Sequence, residues 1–168
     1  MRAMHRMPRP LVIGLAVVVT STAARAHDTW LLPSSSAVPI TTRVEVALTS
    51  GLGFPKDETA IDPARVAVAS ARLAGATTKL EPATKGEDAS SFVVRPQAIG
   101  IATVWVELHP RTLELTAEQV EEYLSEIGAP AAVRERYEKQ PPPRRWRESY
   151  VKHAKTFVRS GEPTSDTS

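Results

Sequence analysis

TTRVEVALT, residues 41–49, alternates, and that alternation decides the fold class. Val44, Val46 and Leu48 fall on one face, while Arg43, Glu45 and Ala47 fall on the other. A period of two residues marks a strand with one dry side and one wet side. Upstream, Thr29-Trp30-Leu31-Leu32 runs into Pro33 and a serine-rich stretch, which reads as a short strand followed by a turn. Downstream, Gly51-Leu52-Gly53-Phe54-Pro55 breaks the strand, and residues 56–63 (KDETAIDP) form a polar loop.

Alternation resumes over residues 65–73 (RVAVASARL), setting Val66, Val68, Ser70 and Arg72 against Arg65, Ala67, Ala69 and Leu73. The alanines also suit a helix, but the flanking Pro63 and Gly75 favour a short strand. Residues 77–80 give a brief strand and residues 81–90 a charged loop. Residues 91–95 (SFVVR) and 101–108 (IATVWVEL) read as a strand pair joined through Pro96 and Gly100. Short strands separated by turn signals predict a mainly β protein, an antiparallel sandwich.

The pattern then switches to a helical period. Thr116 opens a helix with Glu118 and Gln119 in its first turn, where acidic groups suit the dipole. Val120, Tyr123, Leu124 and Ile127 recur at helical spacing, and Gly128 stops the run. Pro130 starts a second short helix that Pro141-Pro142-Pro143 ends, so a helical insertion is predicted around residues 116–139. Residues 146–159 (WRESYVKHAKTFVR) fit a helix through Trp146, Tyr150, Ala154 and Phe157, or the end of a strand through Val151 and Thr156-Phe157-Val158. Residues 162–168 read as a disordered polar tail.

The other end carries an address. Arg2, Arg6 and Arg9 precede the apolar run 11–24, and Ala24-Arg25-Ala26 offers small residues to a signal peptidase. The run is shorter than the roughly 20 residues that a membrane-crossing helix needs. Residues 1–26 are therefore expected to be a cleaved secretory signal, leaving a mature chain that starts at His27 with no membrane span and resides in the periplasm or outside the cell. The signal holds four of the 21 basic residues and none of the 19 acidic ones, so the mature part has 17 basic against 19 acidic residues, a net of −2. Nucleic-acid binding has no general support from that balance. The chain has no cysteine, which excludes acylation as a lipoprotein, thiol nucleophiles, thiolate metal sites and iron–sulfur clusters.

Few residues carry recognisable chemistry. Cleavage before His27 would give one residue both a free α-amine and an imidazole, which together chelate a metal. A second histidine completes such a brace, and the mature chain supplies His109 and His153, with Asp28 as a neighbouring carboxylate. The set suits Cu²⁺ or Ni²⁺, which take tetragonal nitrogen and oxygen ligands. The alternative is a frayed first residue and two ordinary surface or strand histidines. Phosphate-loop, dinucleotide-loop and nucleophile-elbow motifs are missing from the sequence. Glu114, Glu118, Glu121, Glu122 and Glu126 read as the solvated side of a helix. Asp57, Glu58 and Asp62 lack the spacing of a calcium loop. Arg144-Arg145-Trp146-Arg147 reads as a solvated loop with Trp146 packing inward.

Three stretches in order carry a family resemblance. These are His27-Asp28-Thr29-Trp30-Leu31-Leu32-Pro33, the segment 115–127 (LTAEQVEEYLSEI), and Trp146-Arg147-Glu148-Ser149-Tyr150 continuing into Lys152-His153-Ala154-Lys155-Thr156 with Gly161 beyond. Together they resemble the DUF4198 family over residues 27–161. The resemblance implies an immunoglobulin-like sandwich, periplasmic residence and a non-enzymatic link to nickel or cobalt handling, with a metal-transport membrane component as partner. The matched positions are His27, Asp28, Trp30, Tyr150, Lys152, His153 and Lys155, of which His27, Asp28 and His153 are plausible ligands. It also favours a strand over residues 146–159 and implies a further β-rich portion, whereas the sequence ends at Ser168. Two functions are thus expected to compete. One is binding or delivery of Ni²⁺, Co²⁺ or Cu²⁺, and the other is a metal-free interaction module that uses an exposed sheet edge. A copper oxidase or hydrolase would need a polar cluster that the sequence does not reveal.

Overall fold

The computed structural model describes residues 27–161, so the segment expected to be a signal and the C-terminal tail lie outside the described residues. Twelve strands run in order. They are β1 (Asp28–Pro33), β2 (Ala37–Val38), β3 (Val44–Gly51), β4 (Thr59–Ala60), β5 (Val66–Leu73), β6 (Ala76–Lys79), β7 (Thr84–Lys85), β8 (Ser90–Val94), β9 (Gly100–Leu108), β10 (Arg111–Leu115), β11 (Trp146–Tyr150) and β12 (His153–Ser160). Two helices, α1 (Ala117–Glu126) and α2 (Ala131–Glu138), stand between β10 and β11. One sheet has the order β1-β3-β8-β7, with β4 pairing the far end of β3. The other has the order β2-β12-β9-β5-β6 and is antiparallel except where β2 joins β12. The expected β-sandwich with a short helical insertion is the fold.

The period-two pattern explains the sandwich core. Val44, Val46 and Leu48 of β3 and Phe92 and Val94 of β8 point inward from the first sheet. Ala102, Val104, Val106 and Leu108 of β9, with Ala154 and Val158 of β12, point inward from the second. Each buried Val, Leu or Phe stabilises the fold by about 1.5–3 kcal/mol relative to exposure.

Two strand readings change. Residues 91–95 and 101–108 do form strands, yet they do not pair: β8 bonds β3 and β7, whereas β9 bonds β5 and β12. The connection carries the chain from one sheet to the other, and Gly100 takes φ 142°, where a side chain would be strained. The two strands therefore lie in opposite sheets and both contribute to the core. In β5 a bulge between Val66 and Val68 shifts the register. One extra residue reverses the alternation, so Ala69, Ala71 and Leu73 turn inward and Val68 is left 39% exposed.

The ambiguous segment 146–159 is two strands belonging to different sheets, β11 and β12. The insertion is larger than its helices. It stands on a two-stranded ribbon in which Arg111 pairs with Tyr150, Leu113 with Glu148 and Leu115 with Trp146. Thr116 N–H donates to Gln119 Oε1 at 3.0 Å, the return half of a capping box at the start of α1. Val120, Tyr123 and Leu124 join Leu115 and Tyr137 in a second apolar cluster, while Ile127 is exposed. Trp146 packs inward as expected, its ring edge-on to those of Tyr123 and Tyr137 at 6.1 Å each.

Candidate functional site

Where the ribbon leaves the sandwich, the two apolar clusters part and a cavity of about 590 Å³ opens between them. That volume lies within the range of small-molecule sites. Alternation along the ribbon places Arg111 and Leu113 of β10 and their partners Tyr150 and Glu148 of β11 on the cavity wall. The intervening residues face away, and there Arg147 Nε meets Glu114 Oε1 at 3.3 Å. Further along the wall-facing side, Tyr123 donates its hydroxyl to Glu148 Oε1, and Trp146 Nε1–H donates to Glu148 Oε2 at 3.1 Å. Burial and that carboxylate push the Tyr123 phenol well above its ordinary pKa, so it remains a donor.

Arg65 reaches the wall from the opposite side. A single 3₁₀ turn, Pro63–Arg65, presents it, capped by Asp62 Oδ1 accepting Ala64 N–H at 2.9 Å. The Arg65 carbonyl accepts His109 N–H at 2.8 Å, which ties the turn to the end of β9. Lys152 comes from the link between β11 and β12. Its carbonyl accepts Leu108 N–H at 3.0 Å, and its ammonium donates to the His27 carbonyl. Burial lowers the Lys152 pKa below that of an ordinary lysine; Asp28 opposes that fall, and Arg65 and Arg111 reinforce it. Burial, followed by the Arg111 charge, lowers that of Arg65.

His27 and Asp28 both line the cavity. Asp28 begins β1, where its carbonyl accepts the Ser50 hydroxyl at 2.7 Å. Beside them Glu58 accepts Leu52 N–H at 3.0 Å and Gly53 N–H at 2.8 Å. Those two bonds lower its pKa, with smaller help from the charges of His27 and Lys56. A Cβ at Gly51 would run into the Glu58 carboxylate, so glycine is required for this close approach. The other two candidates lie elsewhere. His153 sits on the outer side of the second sheet, its Nδ1 3.6 Å from Glu107 Oε2, and His109 is not part of the cavity wall. Among the described residues no three or more His, Asp or Glu side chains gather as a metal-binding group. The donor set offered to a metal is therefore the His27 imidazole with the Asp28 carboxylate, and the His27 amine if the chain is cut before it.

Sequence reasoning singled out His27 and Asp28 but missed Arg65, Arg111 and the role of Lys152. These three cations come from separate segments whose only local signals are those of strand edges and turns.

The fold and site define a β-sandwich with a charged cavity at the base of a helical insertion. No family model matches the chain, and no curated protein and no solved structure matches it. Among the described residues no helix is long and apolar enough to cross a membrane.

Proposed function

We propose that the chain is an exported, non-enzymatic β-sandwich that binds a divalent transition metal, Ni²⁺, Co²⁺ or Cu²⁺, and hands it to a membrane transport component, as the resemblance to the DUF4198 family implies. The observation that carries this reading is the position of His27 and Asp28 at the wall of the cavity. A signal cleaved before His27 would add its amine to the imidazole, and Asp28 contributes an oxygen, the nitrogen and oxygen ligands that Cu²⁺ and Ni²⁺ accept. His153 and His109 lie apart from this pair, so water completes the sphere.

The test compares two purified forms titrated with Cu²⁺ and Ni²⁺ at neutral pH. One begins at His27, confirmed by intact mass, and the other carries one extra residue ahead of it. Tight uptake of one equivalent by the first form alone is expected. Equal, weak uptake by both would make His27 an ordinary first residue. Imidazole ligands must be deprotonated, so uptake by the first form should weaken as pH falls below about 6.

A second reading, a metal-free interaction module, has one observation in its favour. At the open edge of the second sheet all four residues of β6, Ala76–Lys79, are exposed. Unpaired edge groups invite a partner strand. Such a module should oligomerise in size-exclusion chromatography without metal, whereas the metal-binding reading requires no such association.

A further inference from the structure

The cavity wall gathers three cations, Arg65, Arg111 and Lys152, that form no salt bridge with its own carboxylates among the described residues. Three acids share the wall, but two are engaged: Asp62 caps the 3₁₀ turn, and Glu148 holds the Tyr123 hydroxyl and the Trp146 indole. The three acids equal the three cations in number, yet none forms a salt bridge with them among the described residues.

Two atoms of these lining residues are also unsatisfied. Arg65 Nε and Thr29 Oγ1 are buried and have no hydrogen-bond partner among the described residues. Buried donors without partners are costly and uncommon in folded proteins. Like charges gathered in a half-buried wall also destabilise one another. A negatively charged ligand in the cavity would give the three cations the partner they lack. Its shape follows from the rest of the wall, to which Ile61, Leu108 and Leu113 contribute apolar side chains.

We propose that this cavity binds a small organic oxyanion, its carboxylate or phosphate group held by Arg65, Arg111 and Lys152 and its apolar body resting on Ile61, Leu108 and Leu113. The guanidinium forks of Arg65 and Arg111 suit planar, bidentate recognition of oxygen pairs, and Lys152 adds a point charge. Tyr150, paired with Arg111 across the ribbon, offers a hydroxyl at the same wall. The proposal stands apart from the metal reading, because it uses none of the groups offered to the metal.

The test uses purified full-length chain treated with a chelator, so that a failure of the metal reading leaves this one open. Octanoate, octyl phosphate, inorganic phosphate and octan-1-ol are titrated calorimetrically at neutral pH. Saturable uptake of octanoate or octyl phosphate at one equivalent is expected, with octan-1-ol at least tenfold weaker, about the contribution of a hydrogen bond to a charged group. Preference between the two acids assigns the head group, and uptake of inorganic phosphate alone would overturn the role of the apolar wall. Arg111 is exposed, so Arg111→Ser should fold normally by circular dichroism and lose about tenfold in affinity. Arg111→Glu should abolish uptake. Equal binding of octanoate and octan-1-ol, unchanged affinity in Arg111→Glu, or no saturable uptake of any probe would overturn the proposal.

Discussion

Lys152 is where the fold and the site meet. Its backbone closes the base of the insertion on Leu108, and its ammonium lies between the His27 carbonyl and the cation group. Its pKa is lowered, chiefly by burial, from the ordinary 10.5. The sign of the linkage follows. Between the lowered native value and the ordinary unfolded one, the unfolded chain holds the proton and the native chain does not, so the Lys152 contribution to stability rises with pH. An oxyanion needs the charged form, so affinity should fall as pH climbs through the same window. Binding there should be accompanied by proton uptake, visible as a calorimetric enthalpy that changes with the buffer. Lys152→Met should remove both the alkaline fall in affinity and the proton uptake. Wild type and variant with the same alkaline profile would show that Lys152 does not face the ligand.

At the scale of elements, β5 shows what alternation can and cannot tell. The strand was legible in residues 65–73, but its buried face was not, because one bulged residue reverses the count and nothing in the letters marks it. Alternation alone puts Val68 with Val66; the structure leaves Val68 39% exposed and buries Ala69 against the core. Val68→Thr should therefore change stability by less than about 0.5 kcal/mol, as at other surface positions. Ala69→Leu should overpack the core and cost about 1–3 kcal/mol. Urea denaturation of the two variants checks this, and the reverse order would return Val68 to the core. The expected pairing of β8 with β9 failed for a related reason. Sequence neighbours usually pair, whereas these two belong to different sheets, and their matching apolar alternation looks the same in either case. The helices were easier, since Thr116, Gln119 and Gly128 punctuate them locally.

At the scale of the molecule, the fold class was legible and the cavity was not. Period-two runs report which side of a strand is dry, and that is enough for a sandwich. A cavity assembled from β1, the 3₁₀ turn, the end of β9, the ribbon and Lys152 depends on how distant segments meet. No local period records that, and the resemblance marked Tyr150 and Lys152 without giving them a task. The same architecture makes a last prediction about stability. The sandwich core around Phe92 and the insertion core around Leu124 are separate clusters, and the cavity lies between them. Phe92→Ala should remove about 3–5 kcal/mol from the whole fold. Leu124→Ala is as deeply buried, but its cluster is small and sits on a two-stranded ribbon that is marginal by itself. Its loss should be felt as local opening, the low-energy end of the unfolding spectrum. Hydrogen exchange should then quicken at amides of α1 and α2 while those of β3 and β9 keep their protection, and octanoate affinity should fall because Leu113 and Arg111 are no longer held against the sandwich. Loss of protection by the same factor in β3 and β9 would instead make the insertion and the sandwich one cooperative unit.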